Sequence, residues 1–200
     1  MDQESELTSE QSLKLIATMI SRAKNEFYDT GLSALLWGSL VIVCSCLSYA
    51  NHYLDWPVLR YAWWLMVVAV VPQVFISVRE AKARRHKSHR DDLIGGIWIS
   101  FGIAIFLFSY LDSQMTIKHD ASIYLTLFAI PTFATGYGRR FQPMIFGGVA
   151  CWVLAIVSLR SDYPEALIPM AGGALLAWFV PGLILRKRYL AAKRKHVQRP

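Results

Sequence analysis

The sequence predicts an all-α membrane protein, with six transmembrane helices arranged as three antiparallel hairpins and an amphipathic cytoplasmic helix ahead of them. Three observations carry that expectation. Apolar runs of about 18 to 20 residues, free of Asp, Glu, Lys, Arg and His, recur along the chain, and each can cross a hydrocarbon core of roughly 30 Å as a helix. Nearly all the Lys and Arg stand between alternate runs. The 200 residues are 54% hydrophobic with a mean hydropathy of +0.34, too apolar for a soluble domain, whose helices alternate apolar and polar faces.

Residues 1–30 form the first unit. Thr8 and Gln11 fit a capping box, and 11–28 carry helical periodicity. Leu13, Ile16, Ile20, Ala23 and Phe27 share one face, with Lys14, Thr18, Arg22 and Asn25 elsewhere around the helix. Such a helix can lie on the inner leaflet, dock on the bundle or pair with another protein. The acidic leader Asp2, Glu4, Glu6 and Glu10 opposes attraction to anionic lipid, so docking or partner pairing is favoured. Leu13, Ile16, Ile20 and Phe27 are the candidate partner-binding face. No apolar stretch with a cleavage site precedes them, so insertion is expected to rest on the first span.

A bundle over 31–188 follows, with spans expected at 31–50, 61–78, 93–111, 121–138, 141–159 and 166–185, and then a basic cytoplasmic tail, 189–200. Of the 21 Lys and Arg, all but Arg60, Lys118 and Arg160 fall on one side of such a membrane path. Cytoplasmic loops keep the positive charge, which places both termini in the cytoplasm. The opposite loops are short and acidic, with Asp55, Asp112, Asp120, Asp162 and Glu165, and connections this tight make consecutive helices antiparallel neighbours.

The hairpins resemble one another. Trp37-x-Ser39 and Ser48-Tyr49 recur with identical spacing as Trp98-x-Ser100 and Ser109-Tyr110, and each second helix carries a proline: Pro72, Pro131 and Pro181. A pseudo-threefold bundle with kinked even helices would produce this pattern. So would unrelated hairpins sharing interfacial aromatics and inner-end arginines, and both readings stay open. Mitochondrial carriers need an acidic residue two positions after the repeat proline and a basic one three further on. Pro72-Gln73-Val74 and Pro131-Thr132-Phe133 depart from that pattern.

Within the spans, Gln73 is the most polar side chain at depth, and it is expected to satisfy the carbonyl that Pro72 leaves free. Pro72, Gln73, Pro131, Thr132, Thr135 and Pro181 are the candidate interior polar and kink positions. Glycines and hydroxyl residues among the spans are read mainly as packing groups. Pumps, proton-coupled carriers and carboxylate- or metal-dependent membrane enzymes place ionisable groups in or near their spans, and these runs carry none. Cys44, Cys46 and Cys151 lie in apolar runs without paired spacing, and His86 and His89 sit among basic residues. No catalytic residue, cofactor or metal is therefore expected. The net charge of +7 flanks membrane segments, which argues against a nucleic-acid partner.

Ser12-Leu13-Lys14-Leu15-Ile16-Ala17-Thr18-Met19-Ile20-Ser21-Arg22-Ala23-Lys24-Asn25, followed by Leu35-Leu36-Trp37-Gly38, resembles the N-terminus of a family of uncharacterised bacterial multi-pass integral membrane proteins. The resemblance spans about forty residues and is architectural beyond them. It implies a bacterial inner membrane and the same multi-span layout, and it brings no activity to carry over. The expected function is a non-enzymatic sensing, scaffolding or regulatory membrane component with the lipid bilayer and a protein as partners. The alternative is a transporter or channel for a small neutral or lipid-like solute. Monomer and homo-oligomer both fit the chain.

Overall fold

The computed structural model describes residues 30–83, 89–115 and 117–197, and every regular element among them is helical. The partner face at Leu13, Ile16, Ile20 and Phe27 lies outside the described residues. In chain order the elements are α1 (Leu32–Leu54), a 3₁₀ segment (Leu59–Trp64) leading into α2 (Leu65–Ala83), α3 (His89–Gln114), α4 (Asp120–Gly138), α5 (Gln142–Ser158) and α6 (Leu167–Ala174). A π turn, Leu175–Phe179, joins α6 to α7 (Val180–Val197).

Four helices are long and apolar enough to cross a membrane: Leu32–Leu54, Leu59–Lys82, Asp91–Gln114 and the rod Leu167–Arg194 formed by α6, the π turn and α7. Two of the six expected spans are weaker. α5 has 17 residues, which is about 25 Å of helix against a core of roughly 30 Å. α4 spans 19 residues, but Ser122, Thr126, Thr132, Thr135, Tyr124 and Tyr137 dilute its apolar character. The basic stretch expected as a tail from 189 continues the last helix as far as Val197.

Backbone chemistry explains the boundaries. Asp55, at φ 45°, ends α1 with its N–H on the Asn51 carbonyl. α4 and α5 are joined by a tight turn in which Arg140 takes φ 51°, the Phe141 N–H reaches the Gly136 carbonyl at 2.8 Å and the Arg140 N–H reaches Tyr137 at 3.2 Å. That pair of bonds is a Schellman closure, and Pro143 then sits in the first turn of α5, where its missing N–H costs nothing. Pro181 has no N–H to offer the Ala177 carbonyl. The turn before it widens, and the Val180 N–H bonds back to Leu175.

The C-terminal rod is the centre of the molecule, touching α1, α4 and α5, whereas α2 leans on α1 and α3 on α4. Half of the rod's most apolar stretch is buried, but only 11% of that in the second span and 6% of that in α3, so the last two present most of their surface outward. Glycine makes the central contacts close. A Cβ on Gly147 would stand 2.5 Å from the Leu176 carbonyl oxygen, one on Gly38 2.8 Å from the Phe179 nitrogen, and one on Gly136 2.7 Å from the Ile145 nitrogen. Such backbone approach is how membrane helices gain dispersion energy when lipid offers no hydrophobic drive between them. Val41, Leu125 and Phe128 pack around the rod's own Met170 and Trp178 as the buried core.

Candidate functional site

Three indole N–H groups organise the polar interior. Trp37 on α1 donates to Gln73 Oε1 on α2 at 3.0 Å, and Gln73 Nε2 donates to Ser33 Oγ at 3.1 Å and Ser77 Oγ at 3.0 Å. Trp98 on α3 donates to Thr135 Oγ1 on α4 at 3.0 Å. Trp178, in the π turn, donates to Thr132 Oγ1 at 2.8 Å, and Thr132 in turn donates to the Phe128 carbonyl at 2.7 Å. In apolar surroundings an unmade bond costs the full desolvation of the group, so these contacts fix which helix faces meet.

The candidate positions divide between two centres. Thr132 and Thr135 are buried beside Trp98 and Trp178, whose rings lie 6.3 Å apart in a cluster with Phe101 and Phe128; Phe128 and Trp178 approach to 4.6 Å. Gln73 does not join them, because α2 packs on α1 and the 3₁₀ segment and not on α4. Its expected role also changes. Instead of serving the carbonyl freed by Pro72, Gln73 spends both N–H groups on serine hydroxyls and its oxygen on Trp37. Pro131 and Pro181 are fully buried; Pro72 is exposed and borders a groove between α1 and α2.

Sequence reasoning missed Ser33, Ser77 and the three tryptophans as bonding partners. A signal existed for two of them: the recurring Trp-x-Ser places Trp37 and Trp98 alike, and each bonds a polar group on the following helix 36 or 37 positions later. Nothing comparable marks Trp178.

The groove between α1 and α2 measures about 370 Å³ and is lined by Leu36, Ser39, Leu40 and Val43 of α1 and by Leu65, Val68, Ala69 and Pro72 of α2. Ser39 turns its hydroxyl onto the Leu36 carbonyl at 3.0 Å, which leaves the groove wall apolar. At the α1 N-terminal end, the Thr30 hydroxyl bonds the Glu80 carboxylate, and Gly31, at φ 71°, lies against the Gly182 carbonyl, where a Cβ would be 2.5 Å away. Arg188 stacks its guanidinium 5.2 Å from the Phe141 ring at that same end.

At the opposite end, burial pushes the Asp120 carboxyl above the usual carboxylate range, opposed by the Ala121 N–H that its Oδ1 accepts at 2.7 Å. Arg60 and Asp55 pair there at 3.9 Å, both exposed, which contributes little stability. The Ser45 and Ser158 hydroxyls and Asn51 Oδ1 are buried without a partner among the described residues. Among those residues, no three His, Cys, Asp or Glu side chains gather as a metal set. Cys44 and Cys151 are buried and direct their thiols to the Ala62 and Gly173 carbonyls, and Cys46 is exposed.

What the fold and these contacts define is an all-helical protein with several helices fit for a membrane, in which Trp37, Trp98 and Trp178 each bond a polar side chain of another helix. No family model, curated protein or solved structure matches the chain.

Proposed function

We propose that the chain is a six-span protein of the bacterial inner membrane, built as three hairpins with both ends in the cytoplasm, and that it works as a non-enzymatic sensing, scaffolding or regulatory component. The observation behind this reading is how its interior polar groups are spent. Gln73 uses both donors and its acceptor, and Thr132 donates to one helix turn while accepting from Trp178. Groups so committed hold helices together and leave little capacity for a passing solute or a reaction. The contacts of α1 with α2, α3 with α4 and α5 with the C-terminal rod support the hairpin arrangement, and the asymmetry of Lys and Arg supports the orientation.

Recognition then falls to the cytoplasmic face and to residues 1–30, with Leu13, Ile16, Ile20 and Phe27 as the partner-binding surface. Pull-down from membranes with the full chain and with residues 1–30 deleted tests this; identical partners from both would refute it. Reporter fusions after Gly138 and at Pro200 test the path, and a periplasmic signal at either would overturn it.

The competing reading is a transporter or channel for a small neutral or lipid-like solute, supported by the buried Pro131 and Pro181 and the widened turn before the latter. Proteoliposome flux abolished by Pro131→Leu or Gln73→Leu would establish it at the expense of the scaffold.

A further inference from the structure

We propose that the groove between α1 and α2 is a binding site for one anionic phospholipid, with an acyl chain in the groove and the phosphate on Arg79. The register of the two helices comes first. Bonds from Thr30 to Glu80 and from Gln73 to Ser33 lay α2 residues 73–80 alongside the first turns of α1. The charged end of α2 and the start of α1 therefore lie at one membrane boundary, and the groove begins a short distance inside it.

Depth fits a single leaflet. Leu36 lies four residues past the start of α1 and Val43 seven further, so the groove runs from about 6 Å to about 16 Å along the helix axis. Half of a hydrocarbon core is about 15 Å, which matches the reach of an acyl chain anchored at this boundary.

Chemistry fits in the same order. The lining is aliphatic and Ser39 is turned away onto its own backbone, so nothing along the groove asks for a polar ligand. Next toward the boundary come Gln73 and the exposed Ser77, at the level of a glycerol ester. Arg79 follows. It stands seven residues beyond Pro72 and thus on the same helix face as Leu65, Val68 and Pro72, exposed and without an ion-pair partner among the described residues. A guanidinium on the groove's own stripe, two turns above its rim, suits a phosphodiester by fork geometry as well as charge. Lipid that merely solvates the bundle needs no such alignment. The exposed face of α3, with Ile99, Ile103 and Phe106, meets lipid without it.

The proposal rests on α1 and α2 lying in a bilayer. That premise fails separately if the wild-type chain is monodisperse without detergent. The test is native mass spectrometry of delipidated full-length protein in detergent, with phosphatidylglycerol or phosphatidylcholine added in equal amounts. The wild type should retain one phosphatidylglycerol, about fivefold in preference to phosphatidylcholine, as expected for one cation near a headgroup. Arg79→Gln should remove the preference while keeping some binding. Val68→Trp, at an exposed position on the groove wall, should abolish retention of both lipids, and Ile103→Trp on α3 should change nothing. Equal retention of both lipids by the wild type, or undiminished phosphatidylglycerol on Val68→Trp, would overturn the proposal.

Discussion

Gly147→Ala and Gly102→Ala are the same chemical change at two helix positions, and the fold predicts opposite outcomes. On α5, the new methyl would sit 2.5 Å from the Leu176 carbonyl oxygen and 2.6 Å from the Ala177 Cα. Non-bonded carbons settle near 3.5–4.0 Å, so α5 and the central rod must part by roughly 1 Å. Both obstacles are backbone, which no rotamer change can move aside. Overpacking of this kind costs about 1–3 kcal/mol, and that is the expected loss. On α3, a Cβ at Gly102 meets nothing within 4 Å. Only helix propensity acts there, favouring Ala by up to about 1 kcal/mol. The assay is reversible unfolding in mixed micelles as SDS replaces a mild detergent, read by tryptophan fluorescence and circular dichroism. Gly147→Ala should shift the midpoint strongly to lower SDS, and Gly102→Ala should leave it unchanged or raise it. Equal midpoints for the two variants would refute the assignment of the rod as the packing centre and of α3 as an outward-facing helix.

Further expectations follow from single contacts. A double-mutant cycle of Trp178→Phe with Thr132→Val in the same assay should give a coupling of about 1 kcal/mol for the buried indole bond, within the range for hydrogen bonds between membrane helices; zero coupling would remove it from the account. Gln73→Leu should destabilise more than Trp37→Phe, because it strands the Trp37 N–H as well as its own two serine partners, and the reverse order in midpoints would count against the bonding scheme. Asp120, whose carboxyl pKa is raised in the fold by burial, contributes stability fully present below the unfolded value near pH 4 and lost as pH rises through the folded one. Asp120→Asn should therefore gain on the wild type at pH 7 and lose that advantage toward pH 4, and a constant difference across that range would contradict the shift.

Helices are legible from this sequence because a bilayer imposes one simple demand. Every backbone group must bond within its segment, over a length set by the hydrocarbon, and runs such as 31–50 and 93–111 meet that demand openly. Position within the bundle is another matter. The second span, Leu59–Lys82, and the C-terminal rod are equally apolar, yet the most apolar stretch is 11% buried in one and 50% buried in the other. Lipid and protein interior are equally apolar, so hydropathy cannot separate a helix facing one from a helix facing the other. Glycine composition shows the same ambiguity: Gly136, Gly147 and Gly148 meet a neighbouring backbone, and Gly95, Gly96 and Gly102 meet open space. The π turn was equally hidden. Pro72, Pro131 and Pro181 look alike in sequence, and only the last is preceded by a widened turn, where Gly38 and Gly147 admit its enlarged backbone.

The repeated Trp-x-Ser gains a physical meaning from its bonds. Trp37 on α1 and Trp98 on α3 each donate the indole proton to a side chain close behind the proline of the next helix, Gln73 after Pro72 and Thr135 after Pro131. Shared interfacial punctuation would require only that aromatics gather at matching depths; it would not require each indole to find an acceptor on the following helix within one turn of the same relative position. The third pair breaks the pattern. α5 carries Gly147 and Gly148 in its close-packed stretch, and the indole that bonds a polar side chain, Trp178, sits in the rod and donates to Thr132 on α4. The rod that touches α1, α4 and α5 is closely approached by Gly38 and Gly147, whereas α2 packs on α1 and α3 on α4, so glycine contacts gather around the central element and single bonded faces serve the peripheral ones.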